Sequence, residues 1–117
     1  MDIFYFLKTC DTCKRIIKTL NIPDSVSLIN IKENPLSSEQ LNALFKSTKS
    51  YAALFNSRAQ LIRKRGLKAN ELSEEKMKGL LLEHYSFLKR PVLLYKEKLF
   101  IGNSAATVEA AKKAIHG

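Results

Sequence analysis

The feature that most constrains this sequence is a short, almost wholly apolar run at residues 2–7 that gives way within three residues to a helical pattern. Ile3, Phe4, Tyr5 and Phe6 are β-formers in unbroken succession, as in a strand buried on both faces. Residues 9–11 break the run, and Ile16, Ile17 and Leu20 then share one helical face. Asn21-Ile22-Pro23-Asp24 supplies a helix stop, and residues 26–31 read as a second strand. A strand–helix–strand unit of this length pairs its strands in parallel through a right-handed crossover. The chain is therefore committed to an α/β architecture within its first quarter.

The middle is helical. Pro35-Leu36-Ser37-Ser38-Glu39-Gln40 opens a helix, and Ser37 with Gln40 fits a capping box. Leu41, Leu44 and Phe45 form its apolar stripe. Residues 51–55 and 59–62 are shorter helical pieces, Gly66 is a helix stop, and Ser73-Glu74-Glu75 opens a further helix that runs to about Tyr85. Residues 91–95 and 99–101 then read as a hairpin, and residues 105–115 as a last helix. The order β-α-β, helical insertion, β-β-α is similar to the thioredoxin-like fold: a mixed four-stranded sheet interrupted by helices at about residues 37–85. No repeat, low-complexity segment or long linker divides the chain, so one domain over residues 1–117 is expected.

With 45 % apolar residues in 117, the chain can build a core without disulfide staples. Two cysteines are too few for a secreted disulfide scaffold. Residues 1–7 lack a basic region and a small-residue cleavage site, and no run reaches the roughly 18 apolar residues of a membrane span. The expected location is the cytoplasm, with no membrane attachment. The formal charge of +9 is compatible with a merely basic surface, and equally with attraction to an oxyanion, glutathione, an acidic partner or nucleic acid. The basic residues are dispersed and no nucleic-acid-binding module is recognisable, so direct DNA binding ranks last.

Chemistry concentrates at Cys10-Asp11-Thr12-Cys13, where the first strand hands over to the first helix. A thiolate there meets unpaired backbone N–H groups and the positive end of the helix dipole. Lys8, Lys14 and Arg15 add positive charge and Asp11 opposes it. Two-residue spacing lets a second thiol reach a disulfide formed at the first. Zinc would need about four ligands, and only His84 and His116 are available besides the thiols. Haem attachment needs His where the chain has Lys14. A pair of buried, inert thiols stands open beside the redox reading. His84 reads as a helix C-terminal cation and His116 as part of a frayed tail.

Arg90-Pro91 is the second feature. Pro at the start of an internal strand is unusual. It becomes sensible if the bond is cis and lies beside the cysteines, as is usual in thioredoxin-like proteins. Arg90 would then offer a guanidinium fork to an oxyanion or carboxylate. Arg58, in Phe55-Asn56-Ser57-Arg58, is on these grounds ordinary solvated surface.

Phe4-Tyr5, Cys10-Asp11-Thr12-Cys13-Lys14, Asn56-Ser57-Arg58, Arg90-Pro91 and Gly102-Asn103-Ser104, in that order, resemble the arsenate reductase ArsC/Spx/YffB family over nearly the whole chain. The resemblance implies that Cys10 is the nucleophile, with Cys13 as second catalytic thiol. Arg90, Arg58, Thr12 and Pro91 are then the substrate-binding residues. It implies a thiol-dependent oxidoreductase acting on a small oxyanion or a glutathione disulfide, with no bound cofactor or metal, glutathione as co-substrate, and glutaredoxin or thioredoxin as partner. The alternative it implies is an Spx-like regulator that senses oxidation through Cys10 and Cys13 and binds RNA polymerase. This chain stops at Gly117 without the longer basic tail of Spx-type proteins, which ranks that reading second. Two departures stand out: the family's reductases carry an Arg after the hairpin, where this chain has Phe100-Ile101-Gly102-Asn103, and they lack a cysteine at the position of Cys13.

Overall fold

The computed structural model describes residues 2–117; Met1, the first residue of the expected domain, lies outside the described residues. The chain forms two compact units. One takes the chain up to Asn34 together with Arg90–Gly117, and the other is Pro35–Lys89.

The first unit holds β1 (Ile3–Phe6), α1 (Asp11–Leu20) and β2 (Ser27–Asn30), and later β3 (Val92–Tyr95), β4 (Lys98–Ile101) and α6 (Ala105–His116). Its sheet has the order β2-β1-β3-β4. β1 runs parallel to β2, with Phe4 opposite Leu28, and antiparallel to β3, with Phe4 opposite Leu93. β3 and β4 are antiparallel. This is the mixed four-stranded sheet of a thioredoxin-like fold. β1 is a central strand, and Ile3, Phe4 and Tyr5 are all buried. Phe4 and Leu93 face a core built with Ile16 and Leu20 of α1 and Ala111 of α6. Each fully buried side chain of this kind contributes about 1.5–3 kcal/mol through apolar burial.

β2 is shorter than residues 26–31, and it is an edge strand: Val26 and Ile31 are buried at its ends while Leu28 is half exposed. The hairpin closes through Lys96 and Glu97, both at positive φ (46° and 68°), which gives the turn the handedness that matches strand twist. The Asp2 carboxylate accepts from the Lys96 N–H at 2.8 Å. His116 is not frayed. It ends α6, and its Nε2 lies 2.6 Å from the Leu20 carbonyl at the end of α1, where an imidazole N–H donates.

The second unit is the helical insertion: α2 (Ser38–Thr48), α3 (Tyr51–Leu54), α4 (Gln60–Lys64) and α5 (Glu74–Glu83), with 3₁₀ turns at Ala69–Glu71 and Tyr85–Phe87. The Ser37–Gln40 capping box is formed in both directions. Leu41, Leu44, Leu54, Phe55, Ile62, Leu80, Leu81, Phe87 and Leu88 are buried. Phe55 and Phe87 stack with centroids 5.6 Å apart, and the Arg65 guanidinium, paired with Glu83, lies over the Phe87 ring. Among the described residues no helix is long and apolar enough to cross a membrane.

Candidate functional site

The site grows from the end of β1. After Phe6 the chain must turn before α1 can begin. Cys10 N–H donates to the Leu7 carbonyl at 3.0 Å, and Lys14 N–H donates to the Cys10 carbonyl at 3.1 Å. Cys10 is thus the N-cap of α1, with extended backbone (φ −90°, ψ 113°). The turn is braced from the edge strand: Asn30 Oδ1 accepts from Lys8 N–H at 3.2 Å, and Asn30 Nδ2 donates to Glu33 at 3.2 Å. A lone polar residue at a strand end has no periodic signature, so Asn30 is a positioning residue that sequence reading passes over.

The two sulfurs occupy different environments. Cys10 is partly exposed, whereas Cys13 is fully buried, in line with Ile16 and Leu20 on the inward side of α1. Both are free thiols. Burial works to raise the Cys10 thiol. The Cys13 N–H, the Cys13 thiol, the Thr12 N–H and the charge of Arg90 outweigh it, and the net direction is down. Cys13 is pushed up to about 11, first by burial, then by donating its S–H to Cys10 and by the negative charge there; a backbone contribution from Leu7 and the charge of Arg90 oppose this and lose. The two thiols are thus shifted in opposite directions, Cys10 down and Cys13 up.

Arg90-Pro91 is a cis peptide bond, as the sequence suggested. Pro91 is buried at the start of β3, and its carbonyl accepts from Gly102 N–H at 2.9 Å, which ties it to the end of β4. Arg90 is partly buried and its charge reaches both sulfurs. The first unit therefore gathers Cys10, Thr12, Cys13, Arg90 and Pro91. Thr12 enters through its main-chain N–H. Arg58 belongs to the second unit, where it is exposed. An Asx turn presents it: Asn56 Oδ1 accepts from Arg58 N–H at 3.1 Å, while Asn56 N–H donates to the Phe87 carbonyl at 2.7 Å. No group of three or more His, Cys, Asp or Glu side chains comes together among the described residues to hold a metal ion.

A group of negative charge approaching Cys10 would thus meet a thiolate set among two backbone N–H groups and one guanidinium. Such a constellation supports nucleophilic attack by sulfur at an electrophile whose departing group is anionic.

The model of the ArsC family matches residues 5–111. No curated protein matches the chain. Among solved structures, the chain is similar to an arsenate reductase (ArsC) related protein from Brucella melitensis, with 27 % identity and a TM-score of 0.69, covering 93 % of this chain and 92 % of that one. It is likewise similar to a protein from Streptococcus mutans described as a possible arsenate reductase, with 27 % identity and a TM-score of 0.63, covering 85 % and 87 %. An arsenate reductase from Vibrio cholerae, at 17 % identity, shares the fold with a TM-score of 0.75 over 97 % and 96 % of the two chains.

Proposed function

The chain belongs to the ArsC family, and from that membership we propose that it is a thiol-dependent reductase in which Cys10 is the nucleophile toward a small oxyanion or a disulfide such as that of glutathione. The observation that carries this reading is the placement of the partly exposed Cys10 as the N-cap of α1, where main-chain N–H groups and the charge of Arg90 favour its thiolate.

With a disulfide substrate, the Cys10 thiolate attacks one sulfur, the substrate S–S bond breaks, and the other half leaves as a thiolate that takes a proton from water. With an oxyanion, the sulfur displaces one oxygen, which leaves as water once protonated. A second thiol then attacks the Cys10 sulfur, a disulfide forms, and the bonding pair stays with the reduced oxyanion. Arg90 supplies a charged fork for the anion, and the Thr12 and Cys13 N–H groups steady the thiolate before attack and as it is regenerated. The end of β4 carries Gly102 and Asn103 where the family's reductases have a further Arg, so the first unit offers an oxyanion one cation fewer. That departure, together with the second thiol at Cys13, supports a disulfide substrate alongside the oxyanion.

The test is turnover of arsenate and of a glutathione mixed disulfide, measured side by side with glutathione as reductant. Cys10→Ser is expected to abolish whichever activity the wild type shows. Reduction by Cys10→Ser at the wild-type rate would sink the proposal.

A further inference from the structure

The charges of the second unit are unevenly spread. Residues 58–70 hold Arg58, Arg63, Lys64, Arg65 and Lys68 and no acid. Arg65 is paired with Glu83. The other four are exposed, and among the described residues none has a carboxylate within ion-pair reach. Attraction to the negative end of its own helix accounts for Arg63 and Lys64, in the last turn of α4. It does not account for Arg58, before α4, or for Lys68, after it.

The backbone beneath these side chains is held at both ends. Asn56 N–H donates to the Phe87 carbonyl at 2.7 Å and its Nδ2 to the Ser86 carbonyl at 3.3 Å. Its Oδ1 accepts from Arg58 N–H, and its carbonyl accepts from Ala59 N–H at 3.2 Å. Ala59 and Ile62 are buried and anchor α4. The helix closes in a Schellman motif: Leu67 N–H donates to the Ile62 carbonyl at 2.8 Å and Gly66 N–H to the Arg63 carbonyl at 3.1 Å, with Gly66 at φ 68°. A backbone ordered before its partner arrives lowers the cost of binding.

We propose that residues 58–68 form a docking surface for an acidic protein segment, one that presents several Asp or Glu side chains. Guanidinium forks match carboxylates two bonds at a time, and the lysines add charge that speeds encounter. A nucleic acid fits less well. α4 has five residues, too few to lie along a groove. Residues 57–68 also contain no aromatic side chain on which a base would stack. Cys10 and Cys13 lie in the first unit, so this surface stands or falls apart from the thiol chemistry.

The test titrates the full chain at low ionic strength with three probes: a glutamate-rich peptide, a DNA duplex, and vesicles containing phosphatidylserine. The peptide is expected to bind, and to bind more weakly as salt rises. Arg63→Glu, Lys64→Glu and Lys68→Glu combined are expected to weaken peptide binding by about tenfold, as several lost and reversed pairs would. The same reversal at the exposed Lys18, Lys112 and Lys113 of the first unit is expected to change it by no more than about twofold. Arg58 is kept unchanged, because the resemblance implies a substrate role for it. The neutral set Arg63→Gln, Lys64→Gln and Lys68→Gln, expected to lose about threefold, carries the test if the reversed set does not fold. Absence of peptide binding, or an equal loss in the first-unit control, overturns the surface. A loss confined to the duplex or the vesicles overturns the choice of partner.

Discussion

Among individual residues, Arg90 separates charge from geometry. Its positive charge favours the anionic form of Cys10, so its removal favours the thiol. Arg90→Ala is expected to raise the midpoint of Cys10 reactivity by roughly half a unit to one unit, because opposite charges at short range act by amounts of this order. At a pH below the new midpoint the variant reacts more slowly, and at high pH the two proteins converge. Arg90→Lys keeps the charge and loses the fork, so the midpoint should stay near the wild type while binding of an oxyanion weakens. A pH series of alkylation rates checks both variants. The place of Cys10 at a strand-to-helix junction was legible because an apolar run, a break and a helical stripe follow one another without a gap. The role of Asn30 was not, since its bond to Lys8 spans 22 residues and leaves no local pattern.

At the scale of elements, most helix ends are written in their own residues. Ser37 and Ser73 each accept from an N–H three residues on, as their sequences suggest, and Ser104 does the same at the start of α6. α3 shows the limit of such reading. Ser50 caps it locally, but its first two N–H groups, on Tyr51 and Ala52, donate to the Glu74 carboxylate at 2.7 and 2.9 Å from the start of α5. Glu74 looks in sequence like an acid suited only to its own helix. Glu74→Ala is expected to cost about 1–2 kcal/mol through the loss of two charge-assisted bonds, with Glu74→Gln retaining a part, as read by urea denaturation. The end of α2 makes the opposite prediction. Lys49 occupies a left-handed position (φ 55°), which glycine adopts without steric cost. Lys49→Gly should raise the denaturation midpoint by the equivalent of about 0.5–1 kcal/mol, and Lys49→Val should lower it.

For the whole molecule, stability is tied to the protonation of its buried acids. The folded state holds Cys13 neutral up to about 11, while an unfolded thiol ionises near 9. Between these values the unfolded chain binds fewer protons than the folded one, so stability falls as pH rises. The limiting slope is about 1.4 kcal/mol per pH unit for one group. Tyr5, whose buried phenol is pushed up to about 12, adds a second loss above pH 10. A denaturation series from pH 8 to 11 is expected to show the decline beginning near 9 in the wild type, and nearer 10 in Cys13→Ala. The order of strands and the mixed sheet were legible in the sequence because each segment carries its own period. The end of α6 was not: His116 donates to a carbonyl 96 residues away, and nothing in the neighbourhood of His116 announces that partner.

The unequal burial of the two sulfurs also decides which of them oxidants damage. Cys10 is partly exposed and Cys13 is buried, so an oxidant such as peroxide is expected to carry Cys10 from sulfenic toward sulfinic acid ahead of Cys13.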